Sequence, residues 1–323
     1  MSRELAKSTA VTAAMTLVSR ISGLIRDTVF ARMIGAGAGV AADAFYVAFR
    51  IPNFLRRIFG EGAFSQAFVP VFAEYKNAGD LDRTRLFIAR VTGILAVVLF
   101  AVTVVGTLAA PYVVMALAPG FVADPAKYDL TVHMLRIMFP YLLFISLVAM
   151  AGGVLNTYGR FGVPAFTPVL LNICLITAAL WLAPRMSQPV VALAWGVFVA
   201  GIVQLLFQLP ALKRLHLLPR PRIDWRDEGV RRVFGLMLPA VFSVSVAQIN
   251  LLVNTILASY LITGSVAWLY YADRLMEFPL GVFGVALGTV ILPSLSRKHV
   301  RASHDEFSHT LDWALRVGCF ITL

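Results

Sequence analysis

Long apolar runs alternate with short polar segments along the whole chain. Each run has about 20 residues or more, the length an α-helix needs to cross a bilayer. The final run stops at Leu323 after too few residues to cross, so we expect the sequence to be part of a longer chain. We predict eight spans and the start of a ninth, at residues 8–34, 44–73, 88–116, 130–155, 162–183, 189–210, 232–259 and 266–295, then 308 onward.

Composition also indicates a protein that crosses the membrane several times. Of the 323 residues, 59% are hydrophobic and 14% are charged, and the mean hydropathy is +0.80, whereas soluble domains are about 25% charged. We therefore predict an all-α polytopic membrane protein. A net charge of +11 suggests nucleic acid in a soluble protein, but the sequence contains no nucleic-acid module, so we expect no nucleic-acid partner.

Loop charges predict the orientation of the chain. The loops on one side of the predicted membrane hold sixteen Lys and Arg residues, and those on the other side hold two, Lys127 and Arg185. The positive-inside rule therefore places the N-terminus in the cytoplasm. Ten arginines remain within the spans or at their edges, and Arg32, Arg90 and Arg136 lie near span ends, where long side chains can snorkel.

One loop divides the spans into two groups. Residues 211–231 mix basic residues with leucines, two prolines and a tryptophan, which is typical of a cytoplasmic amphipathic connector at the membrane surface. It separates an N-terminal lobe, 1–210 with six spans, from the start of a C-terminal lobe, 232–323. A shift of 224 residues superposes the second and eighth spans with six identities and pairs Arg50 with Arg274, which predicts a two-lobed transporter fold with parallel six-span repeats, truncated in the second lobe.

The first span carries charges near its middle. At about 100° per residue, Arg20, Gly23, Arg26 and Asp27 occupy an arc of about 120°, and such a polar stripe should face protein or water rather than lipid. Because two arginines exceed one acid, we interpret the stripe as an anion site with Asp27 as counter-charge. The alternative is a structural ion pair that locks helices together.

The second and eighth spans add further candidates. Prolines and glycines should break the second span, and irregular backbone is tolerated where it lines a cavity. Arg57 and Glu61 share a helix face and are predicted to pair, which leaves Arg56 as a ligand-facing cation. On the eighth span, Glu277 is a candidate structural partner of Arg274, although the repeat also places one arginine from each lobe at the seam between lobes.

Other polar residues suggest no chemistry. Asp43 lies at the outer mouth of the second span, where an acid is most often solvated. Asn172 and Gln248 are expected to form hydrogen bonds between helices. Histidines and cysteines are scattered, and no phosphate-binding loop or zinc-protease motif is present, so we expect no metal, no cofactor and no enzyme activity.

Four segments closely resemble the MurJ/MviN lipid II flippases of the multidrug/oligosaccharidyl-lipid/polysaccharide exporter superfamily. The resemblance covers nearly the whole chain, and motifs of this length are specific. The segments are SRISGLIRD (19–27), ADAFYVAFRIPNFLRRIFGEGAFSQAFVPVFAEY (42–75), LNTYGRFGVPAFTP (155–168) and YYADRLMEFPLGVFGVALGTVILPSLS (270–296).

The resemblance implies that lipid II, the undecaprenyl-pyrophosphate-linked peptidoglycan precursor, is moved from the cytoplasmic to the periplasmic leaflet of the bacterial inner membrane. It implies a cationic central cavity in which arginines grip the pyrophosphate while an acid acts as a switch. Lipid II, anionic membrane lipids and the cell-wall synthesis machinery are the expected partners. The family's important positions fall here on Arg20, Arg26, Asp27, Asp43, Arg56 and Arg274, with Asp27 and Asp43 as the expected switch or counter-charge residues.

Several alternatives remain open on the sequence. A flippase for another undecaprenyl-linked glycan is excluded only by the specific motifs. A drug/cation antiporter of the same superfamily should have an acidic or apolar cavity, which the arginine excess disfavours. A membrane scaffold predicts that cavity substitutions are neutral, and a membrane enzyme acting on a lipid diphosphate needs a catalytic set that the sequence does not offer.

Overall fold

The computed structural model describes residues 3–35, 39–57 and 63–276, together with 312 and 316. Within these ranges every regular element is helical, which confirms the predicted all-α class. The α-helices are α1 (Arg3–Ile34), α2 (Val40–Leu55), α3 (Phe64–Asn77), α4 (Leu81–Leu108), α5 (Ala110–Leu117), α6 (Pro125–Met138), α7 (Tyr141–Thr157), α8 (Gly162–Thr177), α9 (Val191–Arg214), α10 (Glu228–Ser259) and α11 (265–276).

Helix length and composition identify a multi-pass membrane protein. At 1.5 Å per residue, the 28 residues of α4 extend about 42 Å, more than the roughly 30 Å of a bilayer's hydrocarbon core. The part of the chain that the structure describes contains five helical segments long and apolar enough to cross a membrane: Leu81–Leu108, Pro125–Thr157, Gly162–Arg185, Val191–Arg214 and Glu228–Val246.

Two predicted spans consist of paired helices. In the second span, α2 contains Pro52 and ends at Leu55, and α3 begins at Phe64 and contains Pro70. Gly60 and Gly62, on which the predicted break also rests, lie outside the described residues. In the fourth span, α6 and α7 are separated by a turn at Phe139 and Pro140. We predicted a single span at 130–155, because one proline within an apolar run does not show whether a helix kinks or ends.

An aromatic column fixes α3 against α4. Phenylalanines recur every fourth residue of α3, at Phe64, Phe68 and Phe72, so their rings lie on one helix face. Successive rings stack at centroid distances of 5.2 and 5.3 Å. Phe87 of α4 stacks on Phe68 at 5.9 Å and on Tyr75 at 4.2 Å. The column thus anchors α3, the C-terminal helix of the second predicted span, against α4.

The connector between α9 and α10 is irregular rather than helical over 217–227 and lies against α4. The backbone N–H of Arg222 donates to the Ala89 carbonyl at 3.0 Å. Gly93 makes this approach possible, since a Cβ there would overlap the backbone of Arg222. Connector and helix are therefore in backbone contact.

Arg90, which lies near a span end where a long side chain can snorkel, forms ion pairs with two aspartates of the connector. Its Nε lies 3.0 Å from Oδ2 of Asp224, and its Nη1 bonds Oδ2 of Asp227. Asp227 also caps α10, because its Oδ1 accepts the N–H of Val230 at 3.0 Å. One arginine of α4 thus holds the connector at the point where α10 begins.

The described chain divides into two compact units, Met1–Ala267 and Trp268–Leu323. The first unit contains α1 to α10 and the first residues of α11. All contacts described below lie within this first unit.

Candidate functional site

The polar stripe of α1 faces the protein interior, as predicted from its helical angles. Arg26 and Asp27 are 4% and 6% exposed, and Gly23 is also buried. The opposite face is apolar and accessible, as expected for lipid contact. Its members are Leu17, Val18, Ile21, Leu24 and Ile25, each between 43% and 51% exposed.

Arg26 is held in a buried polar cluster between α1 and α8. Its Nη2 and Nε donate to Oδ1 of Asp27 at 2.6 and 2.9 Å, and its Nη1 donates to Oδ1 of Asn172 at 3.1 Å. Asn172 in turn donates to Oγ of Ser22 at 2.8 Å. The guanidinium carbon lies 5.7 Å from the ring centroid of Phe30, within range of a cation–π contact.

The hydrogen bonds in this cluster limit the ability of Arg26 to bind a ligand. The buried guanidinium donors are already bonded to a carboxylate of the same helix and to an amide of α8, so the geometry matches a structural ion pair within α1 that is hydrogen-bonded to a second helix. Because taking two charges out of water costs several kcal/mol per ion, the pair is weak evidence for stability alone. An anionic ligand that takes up these donors must replace Asp27 or Asn172 as their acceptor.

Arg20 differs from Arg26, although both lie on the same stripe. It is half-buried, and its Nε is inaccessible to solvent with no hydrogen-bond acceptor among the described residues. A buried donor without an acceptor costs roughly 1–3 kcal/mol, more when it is charged. Arg20 therefore presents a donor whose energy falls when an anion binds, and a guanidinium fork matches phosphate oxygens.

Two arginines of the second span reach α10. Nη1 of Arg50 donates to the Leu251 carbonyl at 3.2 Å and also bonds Oγ1 of Thr255. Nη1 of Arg57 lies 3.5 Å from Oε1 of Gln248, at the outer limit of a hydrogen bond. These contacts tie the end of α2 to the seventh span, and the expected hydrogen bonding of Gln248 between helices is met.

The remaining candidates are placed as follows. Arg56 donates from Nε and Nη2 to Oδ1 of Asn53, one helical turn earlier, at 3.1 and 2.9 Å. Arg274 is half-buried on α11 in the second unit. Glu61 and Glu277 lie outside the described residues, so their predicted pairing with Arg57 and Arg274 stays a prediction.

Asp43 is not solvated, contrary to the usual behaviour of an acid at a span mouth. It is 1% exposed. Its Oδ2 accepts Nζ of Lys127 at 2.7 Å and the Gly264 N–H at 2.8 Å, and its Oδ1 accepts the Ala267 N–H at 3.0 Å. Helix N-termini present unpaired N–H groups and favour negative charge, so Asp43 caps α11 from a distant part of the chain.

Sequence reasoning missed Lys127, which it counted as a loop cation outside the membrane. The residue is 5% exposed in the first turn of α6. Its partner Asp43 is 84 positions away, and no local pattern links the two.

For metal chemistry, the part of the chain that the structure describes contains no group of three or more His, Cys, Asp or Glu residues able to hold an ion.

The fold and the buried charges on its helices define a multi-pass membrane protein with the fold of the multidrug/oligosaccharidyl-lipid/polysaccharide exporter superfamily. Among solved structures, an inward-facing multidrug resistance MATE family transporter of that superfamily matches with a TM-score of 0.66 and 15% identity, covering 99% of this chain and 68% of the other. "Lipid II flippase MurJ, inward closed conformation" matches with a TM-score of 0.79 and 26% identity, covering 97% and 63%.

Residues 30–323 match the family model "Lipid II flippase MurJ", and the chain belongs to the MurJ family. The probable lipid II flippase MurJ of Vibrio cholerae is 52% identical over 99% of this chain and 62% of its own length. The lipid II flippase MurJ of Burkholderia cenocepacia is 53% identical over 94% and 59%. The chain thus spans about three fifths of these relatives, whose names describe flippases rather than enzymes.

Proposed function

We propose that the protein containing this chain flips lipid II from the cytoplasmic to the periplasmic leaflet by alternating access through a cationic cavity. The observation that carries the proposal is the buried Nε of Arg20, on a polar helix face in a chain of the lipid II flippase family. The likeness to MATE transporters concerns the fold alone, and an excess of arginines suits an anion rather than a cationic drug.

The proposed ligand group is the pyrophosphate of lipid II. Arg20, Arg26 and Arg56 of the first lobe and Arg274 of the second would share its oxygens, because guanidinium forks bind phosphate with charge-assisted hydrogen bonds. Arg26 is engaged with Asp27 at 2.6 Å. Binding of the pyrophosphate by Arg26 would therefore replace the Asp27 carboxylate with a phosphate oxygen. Asp27 is then the switch, because release of the substrate restores its bond to Arg26.

The proposed lobes are 1–210 and 232–323, with the N-terminus in the cytoplasm. Asp43 and Ala267 are hydrogen-bonded and lie 224 positions apart, the same shift that relates the second and eighth spans. Residues related by a twofold repeat meet only near its axis, so this contact supports parallel repeats around a central seam. The membrane potential, about 2.3 kcal/mol per charge per 100 mV, would drive the unoccupied cations back inward.

Two further partners belong to the proposal. The connector exposes Leu218, Ile223 and Trp225 beside basic residues, a combination that favours the surface of an anionic leaflet. A flippase of a peptidoglycan precursor also delivers its substrate to the cell-wall synthesis machinery, and this role places the protein in peptidoglycan biosynthesis and the maintenance of cell shape.

Binding of purified lipid II to the purified protein tests the ligand assignment. Replacement of Arg20 by Gln removes the charge and the fork but retains much of the length. We expect lipid II binding to weaken at least about tenfold, since a hydrogen bond to a charged group contributes roughly 1.5–3 kcal/mol. The affinity of Arg20→Lys for lipid II should lie between those of Arg20→Gln and the native protein, because a lysine supplies charge without the fork.

The matched control is Lys213→Gln, which removes an exposed cation at the end of α9. It should bind lipid II as tightly as the native protein. If Arg20→Gln also binds with native affinity and the native melting temperature, Arg20 does not bind the ligand. If an undecaprenyl pyrophosphate carrying a different glycan binds as tightly as lipid II, the assignment of the glycan is wrong.

A further inference from the structure

Lys127 occupies a position that is unfavourable for a lysine in two ways. It lies in the first turn of α6, three residues after the N-cap Asp124, where the positive end of the helix dipole opposes a cation. It is also 5% exposed, although burial of a charge is costly unless the charge is paired. A lysine retained under these conditions calls for a specific partner.

The partner is the Asp43 carboxylate, supported by the aromatic face beneath the cation. Nζ of Lys127 lies 2.7 Å from Oδ2 of Asp43 and 4.1 Å from the ring centroid of Phe121. Oδ2 simultaneously accepts the Gly264 N–H, and Oδ1 accepts the Ala267 N–H. Both carboxylate oxygens are thus used, one for the lysine and a backbone donor, the other for a second backbone donor.

We propose that Lys127 is a positioning residue for transport: it keeps the Asp43 carboxylate aimed at the Gly264 and Ala267 N–H groups, and so closes the seam at this end of α10. The inference rests on the proposed function, in which the seam opens to release lipid II. Asp43, Lys127 and Phe121 all precede the connector, whereas Gly264 and Ala267 follow it.

This division of partners explains why a lysine is used. When the turn before α11 moves away, Asp43 loses its two backbone donors but retains Lys127, so the seam opens without leaving an unpaired carboxylate. When the turn returns, the carboxylate is already oriented by Lys127. The adjoining contact reinforces closure, because the Gly120 N–H donates to Oγ of Ser259 at 3.2 Å and a Cβ on Gly120 would overlap the Ser259 carbonyl.

The experiment measures closure through a cysteine at Ser259, which is 5% exposed. In the protein with Cys174 and Cys319 replaced by alanine, Ser259→Cys is labelled from the periplasmic side by a membrane-impermeant maleimide. We expect Lys127→Met to raise the labelling rate about tenfold, the effect of losing one charge-assisted hydrogen bond. Lys127→Arg should remain within about twofold of the native rate, since it retains the charge.

The charge-swapped protein, Asp43→Lys with Lys127→Asp, separates positioning from simple charge pairing. It retains an ion pair, but a lysine at 43 cannot accept the two N–H groups, so we expect labelling as fast as in Lys127→Met. A native rate in either Lys127→Met or the swapped protein overturns the inference. Because labelling needs no lipid II, the result is independent of the Arg20 binding test and of the substrate assignment.

Discussion

The cluster around Arg26 makes a quantitative prediction about the first span. The Arg26 and Asp27 side chains are 5% and 8% exposed and meet at 2.6 Å, so removal of one partner leaves the other charge buried. Such a loss costs about 3–5 kcal/mol. In Asp27→Asn, Arg26 still has an amide oxygen at position 27 and keeps its bond to Asn172. We therefore expect a loss of unfolding free energy at the lower end of this range, about 3 kcal/mol, which lowers the melting temperature by about 6–12 °C.

The double variant Arg26→Gln with Asp27→Asn should be less destabilised than either single variant, because no buried charge remains. Thermal unfolding of the four purified proteins gives the coupling energy as a double-mutant cycle. The exposed pair Arg85 and Asp82, whose side chains are 42% and 91% exposed, is the matched reference, and its coupling should not exceed about 0.5 kcal/mol. Equal and additive losses at both pairs would refute the account of a buried, desolvated ion pair.

Two glycine substitutions test the close approaches that shape the first unit. Gly93→Ala should displace the connector from α4, because the added Cβ overlaps the Arg222 backbone. We expect limited proteolysis to cut residues 217–227 at least about fivefold faster, since overpacking of this contact should cost roughly 1 kcal/mol or more. Gly235→Ala on α10 is the control, since nothing lies within 4 Å of its Cβ, and its cleavage rate should not rise. Gly120→Ala should lower the melting temperature by overpacking against Ser259, at a cost of about 1–3 kcal/mol, and an unchanged melting temperature would contradict that contact.

Local periodicity predicted much of the structure, for a physical reason. A helix rotates by about 100° per residue whatever surrounds it, so the burial of Arg26 and Asp27 and the lipid-facing opposite side followed from spacing alone. The length of the apolar runs predicted membrane crossing because the bilayer thickness is fixed.

What the sequence did not predict depends on contacts between distant residues. The pairing of Lys127 with Asp43 spans 84 positions, and that of Arg90 with Asp227 spans 137. Hydropathy places these four residues at the edges of spans or in the adjoining loops, where solvation and snorkelling are the usual expectations. Which cation meets which acid depends on how helices pack, and no local pattern encodes that.

Transport of lipid II by the reconstituted protein tests the central claim most directly. In proteoliposomes containing lipid II, the accessibility of its headgroup reports movement between leaflets. We predict that the native protein and Lys213→Gln move lipid II at equal rates, and that Arg20→Gln slows transport at least about tenfold. Lipid II that stays in its original leaflet with the native protein, or transport at the native rate with Arg20→Gln, would contradict a cationic pathway for the pyrophosphate.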